Sequence, residues 1–429
     1  MSISLPQQRQ IGAISCFFAV KILNNFVFCP FFRIFATNYK LMEKDMSSVE
    51  IRKVTDRKGL DAFIDLHYDL YKGSPYDAPN LYSDELNTLS KDKNAAFEFC
   101  EAEYFLAYKD GRLVGRVAAI VNHRYNEQWK RPTVRFGWLD LIDDIEVLRA
   151  LLGAVEDYGR QKGMTEIIGP LGFTDMDPEG MLIHGFDQLG TMATIYNYEY
   201  DPKLMEQMEG YEKDNDYVEY KVFVPKEGMP EKLVKLSQMI EKRYNLHCPQ
   251  IKRSEVFGPN GYGQKVLEVV NKTFANLYGY SQMTQRQIDS YVREYFKFFS
   301  MDMLCVIEDW NTPNHDVVGV GITIPSLTKA LQKCRRGRLL PFGWWHVIKA
   351  LKFHKTDIVD MLLIGVLPEY RTKGANALFF YNLIPVYQKY GFKWGESHVH
   401  METNTAVQAQ WQMFENEQHK RRRCYKKQL

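Results

Sequence analysis

From Val49 onward the apolar positions fall into two periods, and the order of those periods is repeated along the chain. Residues 49–54 alternate as a strand does, and residues 59–71 space their apolar side chains as a helix does. Residues 104–108 and 113–121 are apolar runs around Lys109-Asp110-Gly111-Arg112, which predicts a hairpin with Asp110-Gly111 as its turn. A strand follows over 133–141. Asp144 caps a helix over 145–162 that Gly163 ends, and 166–170 predicts another strand. The second half predicts helices over 231–244, 263–278 and 284–299, then a hairpin from 303–308 and 317–324. A strand over 361–367, a helix over 375–390, a strand over 396–401 and a last helix over 405–418 complete it. The shared order predicts two copies of one α/β unit, 49–225 and 226–429, joined near Pro225 to Pro230.

Composition changes this picture little. A chain of 429 residues exceeds one ordinary core, and 45% hydrophobic with 25% charged residues is ordinary for a globular protein. The formal charge of +2 carries no message until its distribution is considered. Seven scattered cysteines, none in Cys-x-x-Cys spacing, predict reduced thiols, no metal site and a cytoplasmic protein. Residues 1–48 read as an atypical extension. The first 42 contain no Asp or Glu, and Lys21, Asn24, Asn25 and Pro30 interrupt their apolar stretch, which makes a poor spanning helix. They are expected to be either sequence upstream of a true start at Met42 or Met46, or a membrane-surface anchor.

The chemistry concentrates in residues 361–378. A continuous apolar strand ends at Pro368, a short loop follows, and a helix opens near Ala375. Amides at a helix N-terminus lack intrahelical partners and carry the positive end of the dipole, which suits a pyrophosphate. Gly374 lets backbone and phosphate approach closely, while Arg371 and Lys373 add cationic donors. Pro368 is expected to end ladder pairing and part the strand from its neighbour, leaving room for a pantetheine arm.

This stretch resembles the cofactor loop of the GNAT superfamily of acyl-CoA N-acyltransferases: Arg or Gln, two residues, Gly, one residue, then Gly or Ala. Arg371, Gly374 and the intervening pair match, Ala375 fills the next position, and Asn376 stands where Gly or Ala is usual. The resemblance implies a fold of two tandem GNAT-like mixed-sheet units with flanking helices, and acyl-coenzyme A as co-substrate with no tightly bound cofactor. It implies that the Val366 amide polarises the thioester carbonyl and that Asn404 contacts the cofactor arm. Trp411 falls where many members place the tyrosine that protonates the departing thiolate. The cofactor-binding set is thus Val366, Arg371, Lys373, Gly374, Ala375 and Asn404. In the first half the equivalent place carries Asp140, Asp143 and Asp144, the wrong charge for a diphosphate, so only the second unit is expected to bind coenzyme A. A looser likeness, through Gly169-Pro170, residues 180–187 and residues 421–425, is to bacterial tandem GNAT proteins related to candidate ceramide synthases, which acylate a long-chain amine.

Acyl transfer to an amine also needs a proton acceptor. Glu396 and Glu402, at opposite ends of one strand, are the expected catalytic residues; His398 and His400 share their face by parity. Asp175, Asp177, Glu179 and Asp187 form an acidic loop that reads either as solvated charge or as an attractor for a cationic amine. Residues 326–355 carry Lys329, Lys333, Arg335, Arg336, Arg338, Lys349, Lys352 and Lys355 among Trp and Phe, with no acidic residue in the span. That mixture suits an anionic membrane surface better than nucleic acid, which is not an expected partner. The expected protein is a cytoplasmic acyltransferase, peripheral at the inner face of the membrane, acting on an amine that is itself a lipid. The alternatives are a non-catalytic acyl-CoA-binding regulator and an aminoacyl-tRNA-dependent transferase of the peptidoglycan-bridge type.

Overall fold

A large mixed sheet runs through the protein, in the order β1-β2-β3-β4-β5-β14-β7-β12-β11-β10-β9-β8. A computed structural model describes residues 49–429, and the expectations for residues 1–48 lie outside them. In the first half the strands are β1 (Glu50–Lys53), β2 (Cys100–Lys109), β3 (Arg112–Asn122), β4 (Thr133–Leu141), β5 (Glu166–Gly169), β6 (Met181–His184) and β7 (Glu212–Phe223). The second half holds β8 (Leu246–His247), β9 (Leu304–Asp309), β10 (Asp316–Pro325), β11 (Ile358–Val366), β12 (Trp394–Ser397), β13 (His400–Met401) and β14 (Asn416–Gln428). The helices used below are α1 (Arg57–Leu70), α2 (Ile145–Gln161), α3 (Glu231–Tyr244), α4 (Tyr262–Phe274), α5 (Gln285–Tyr295), α6 (Gly343–Phe353), α7 (Asn376–Tyr390) and α8 (Thr405–Trp411).

The strand order is palindromic. Reading inward from either end gives a short edge strand, a hairpin, then a parallel pair, β4 with β5 on one side and β11 with β12 on the other. At the centre the halves exchange their last strands: β7 lies beside β12, and β14 lies beside β5. The two exchanged strands then pair with each other, from Asn416 opposite Val222 to Lys426 opposite Glu212. Two α/β units of one plan therefore share a single sheet, and neither completes its sheet without a strand from the other.

The outer strands form for the reason the pattern gave. On β9, Leu304 and Val306 join the cluster under α4 and α5, while Cys305 and Ile307 join the cluster under α3 and α7. Both faces are covered, so these strands read as unbroken apolar runs. The centre differs. Glu219 of β7 and Lys420 and Arg422 of β14 are at most 1% exposed, as is the carboxylate of Glu396 on β12. Arg422 Nε lies 2.5 Å from Glu219, and Lys420 Nζ lies 3.0 Å from Glu219 and 2.8 Å from Glu396. The seam between the units is thus held by buried ion pairs as well as by the apolar side chains of Tyr217, Val218, Val222 and Cys424.

The structure departs from the predicted elements there. Residues 412–418 do not extend the last helix; α8 stops at Trp411 and β14 begins at Asn416. The strand predicted over 396–401 is two short pieces, β12 and β13, with a break at His398-Val399. Among the described residues no helix is long and apolar enough to cross a membrane.

Candidate functional site

β11 and β12 part midway along their length. They pair in parallel only from Ile358 opposite Trp394 to Met361 opposite Ser397, with a last bond from the His398 amide to the Met361 carbonyl. β11 then stays with β10 as far as Val366 opposite Gly319, while β13 turns to β7. Its other edge, from Leu362 to Val366, faces a gap. The separation begins at Met361, seven residues before Pro368, where β11 bulges at Leu362 and the neighbouring strand breaks at His398-Val399, so the proline does not begin it.

Hydrogen bonding fixes what that edge presents. The Leu367 amide donates to the Val318 carbonyl, which makes Val366 and Gly319 a non-hydrogen-bonded antiparallel pair. Val366 therefore turns its own N–H and C=O away from β10 and into the gap. The Val366 carbonyl accepts from Arg371 Nε at 2.9 Å, which leaves its N–H as the polar group on offer. The gap opens into a cavity of about 1030 Å³. Leu363, Phe379, Phe380 and Trp411 give it apolar walls, and α4, α5 and the loop between β5 and β6 close its far side.

That loop brings Asp175, Asp177 and Glu179 into the cavity wall. Glu179 is 5% exposed and accepts a hydrogen bond from Tyr217 Oη. Tyr217 is paired with Met401 of β13, so the carboxylates reach the gap through β7, one strand from the edge where β11 is free. Burial pushes the Asp175 carboxyl up to about 7 and Asp177 up to about 6, and with the charge of Asp175 it holds Glu179 well above the usual range. Glu179 thus keeps a proton and shares it with Asp175 across neutral pH. Burial lowers His398 and His400 below the ordinary histidine value, which keeps both imidazoles neutral on the adjacent wall.

The corresponding place in the first half is filled. Its cavity is about 70 Å³. Asp140 lies 2.6 Å from Arg116 and 3.1 Å from His67, and Asp144 caps α2 by accepting from the Glu146 amide. By contrast, α7 opens without any side-chain cap.

No family model matches the chain. It is 26% identical to Protein YghO of Escherichia coli (strain K12) over 383 residues, 88% of this chain and 95% of that one. It is 25% identical to Bacterial ceramide synthase of Caulobacter vibrioides over 341 residues, 76% of this chain and 82% of that one. Among solved structures, a tandem GNAT protein from the clavulanic acid biosynthesis pathway is 13% identical, with 89% of this chain and 98% of that chain covered at a TM-score of 0.49. A GCN5-related N-acetyltransferase from Sphaerobacter thermophilus is 12% identical, with 89% and 95% covered at a TM-score of 0.47. Each half of the palindromic sheet has a parallel pair beside a strand–turn–helix, and in the second half that pair parts. The chain folds as two α/β units of one plan, in tandem along the sequence and joined in one mixed sheet.

Within this fold the predicted site residues separate into two groups. Val366, Arg371 and Asn404 line the cavity, together with Asn376. Lys373, Gly374 and Ala375 do not line it, and Ala375 is fully buried in the core under α3 and α7. Gly374 takes φ +74°, the left-handed turn that delivers the chain into α7. Arg371 is turned back onto the carbonyls of Val366 and Thr273, and the Lys373 ammonium sits 4.0 Å over the Tyr370 ring. Asn404 caps α8 by accepting from the Val407 amide at 3.3 Å. Neither glutamate reaches the cavity wall. Glu396 is buried against His419 and Lys420, and Glu402 is bonded to Arg421 and Lys213. Strand parity put them beside His398 and His400, but the chain break after Ser397 ends that parity. The acidic loop is the residue set that sequence reasoning undervalued. Its signal was present, since Asp175-Met176-Asp177-Pro178-Glu179 is separated by four residues from a predicted strand end.

Proposed function

We propose that this chain is an acyl-CoA-dependent N-acyltransferase whose acceptor is a long-chain amine. The observation that carries this reading is the free edge of β11 opening on one large cavity with a proton-sharing carboxylate pair on its far wall. The thioester arm lies along the edge from Leu362 to Val366, with the diphosphate at the uncapped N-terminus of α7. The Val366 N–H points where the thioester oxygen gains charge on attack. The amine enters as an ammonium, attracted by Asp175 and Glu179. Its proton passes to the Asp175 carboxylate, the free amine attacks the carbonyl carbon and the C–N bond forms. The C–S bond breaks as the second nitrogen proton is passed to the departing sulfur, which goes from thiolate to thiol. Coenzyme A leaves as that thiol. Asp175 and Glu179 take the acid–base role in this reading because they line the cavity, whereas Glu396 and Glu402 are spent on ion pairs outside it.

The size and apolar walls of the cavity support long acyl and amine chains, as does the name of the Caulobacter relative, a ceramide synthase. The test is acyl-CoA titration followed by CoA release. The wild-type chain is expected to bind a long-chain acyl-CoA and to release thiol when a sphingoid amine is added. Binding without thiol release would make it an acyl-CoA-sensing protein instead. Gly374→Glu places an anion beside the diphosphate and a side chain at positive φ, and is expected to weaken acyl-CoA binding at least about tenfold. Unchanged affinity in that variant, with its melting curve intact, would move the cofactor elsewhere.

A further inference from the structure

The insertion that leaves β10 at Pro325 and returns at Ile358 is firmly attached to the protein along its inner side. Ala350, Val347 and Leu351 of α6 pack with Leu327, Ala330 and Leu331, and with Leu81 and Met192 from the first half. Arg336 pairs with Asp65 and Asp69, and Arg338 lies 4.0 Å over the Tyr82 ring. Gln332 donates to the carbonyls of Pro75 and Asp77. Two of the eight cations in this segment, Arg336 and Arg338, are therefore engaged with acidic partners from outside it, and Lys329 lies 4.0 Å from Asp357 at its end.

The outer side is the reverse of what a folded surface avoids. Leu340 is 77% exposed, Phe342 76% and Phe353 56%, with Trp344 and Trp345 beside them. Five of the eleven large hydrophobic side chains exposed among the described residues fall in these fourteen positions. A segment anchored this well has no need of exposed aromatics for its own stability, and a patch of this kind marks an interaction surface. Its cations are placed with it. Trp345, Lys349, Lys352 and Phe353 fall at i, i+4, i+7 and i+8, one stripe of α6, with the Lys349 ammonium 5.0 Å from the Trp345 ring and Phe353 edge-on to the same ring. Lys355 follows just past the helix end, after the left-handed His354, and is exposed as well.

We propose that the outer face of α6 and the turn Leu340-Pro341-Phe342 dock on an anionic lipid bilayer. Charge complementarity selects this occupant: the stripe has free lysines and no carboxylate, and interfacial aromatics beside lysines suit the headgroup level. A nucleic acid would use the lysines but would leave Leu340, Phe342 and Phe353 in water. The face also adjoins the cavity, because Met192 packs on the α6 cluster and lines the cavity, as does Ile324 at the start of the insertion. On the reading of an amine-acylating enzyme, the docked face lets a membrane-resident amine reach the carboxylates without crossing water. The docking itself does not depend on that reading.

The experiment is co-sedimentation of the full chain with vesicles of phosphatidylcholine, alone or mixed with phosphatidylglycerol. Binding is expected only to the mixed vesicles and is expected to fall with added salt. Each of Lys349→Ala, Lys352→Ala and Lys355→Ala should lower the partition coefficient about fivefold, so the triple variant loses about a hundredfold. Phe342→Ser with Phe353→Ser should lower it at least about tenfold. All these side chains are exposed, so the melting curves should match the wild type. Residues 1–48 are present in every sample, and their contribution cancels in the comparison. Equal vesicle binding by wild type and variants would overturn the proposal. So would binding to RNA in place of vesicles, or a dimer in vesicle-free solution that Phe353→Ser dissolves. Acyl-CoA titration without vesicles is the control: lost docking with intact acyl-CoA binding concerns this face, and lost acyl-CoA binding concerns the proposed chemistry.

Discussion

Glu219→Ala is expected to destabilise the protein by about 3–5 kcal/mol, the cost of removing one partner from a buried ion pair. The carboxylate has no exposed surface and holds both Arg422 and Lys420. In the variant Lys420 keeps Glu396, while Arg422, 1% exposed, loses its carboxylate. Both cations belong to β14, the strand that the second half lends to the first, so the loss falls on the seam that joins the units. Urea unfolding at neutral pH reads it as a lower midpoint. Burial alone would raise the Glu219 carboxyl, but Arg422 and Lys420 outweigh it and hold it at about 2. A carboxylate lowered in the folded state adds stability that is present above its unfolded value of about 4.3 and is lost as pH falls towards the folded one. The wild type should therefore lose stability steeply between about pH 4 and pH 2, and the variant should show a shallower slope in that window. An unchanged midpoint would mean that the seam does not depend on these charges.

The same charges explain which part of the fold the sequence concealed. Helices α2 and α3 and the hairpin strands β9 and β10 were predicted within a few residues, because each buries hydrocarbon with the period of its element. β7 and β14 are the longest strands and lie at the centre of the sheet, yet neither was predicted. Their buried positions mix Glu219, His419, Lys420 and Arg422 with Tyr217, Val218, Val222 and Cys424, so no clean hydrophobic alternation marks either strand. Hydropathy reads Arg421-Arg422-Arg423 as a solvated tail. Only the partner charges, some two hundred residues away, make a core of it. The parted strands were anticipated through Pro368, although the gap begins at Met361, where β11 bulges and its neighbour breaks at His398-Val399. The strand, turn and helix over residues 361–378 were legible because each is local in sequence. The acidic wall was not, because Glu179 meets β7 and β13 only once the units have exchanged strands.

Asp175→Asn is expected to lower kcat/KM by about a hundredfold to a thousandfold, the usual contribution of a positioned general base. Acyl-CoA affinity should not change, since Asp175 lies on the wall opposite the proposed thioester edge. The pH profile gives the sharper reading. With the Asp175 carboxyl pushed up to about 7 by burial, wild-type kcat/KM should climb with pH and level off above about 7, and that limb should vanish in the variant. Stability moves the other way. A carboxyl raised in the folded state binds its proton more tightly folded than unfolded, so it costs stability at every pH above its unfolded value, and the cost grows until the folded value is passed. Asn carries no such cost, so the variant should melt higher at neutral pH while working far more slowly. A residue kept for packing would lose stability and activity together. Should Asp175→Asn retain the wild-type kcat/KM and its rising limb, the proton would have to leave through the neutral imidazole of His398 or His400 on the adjacent wall.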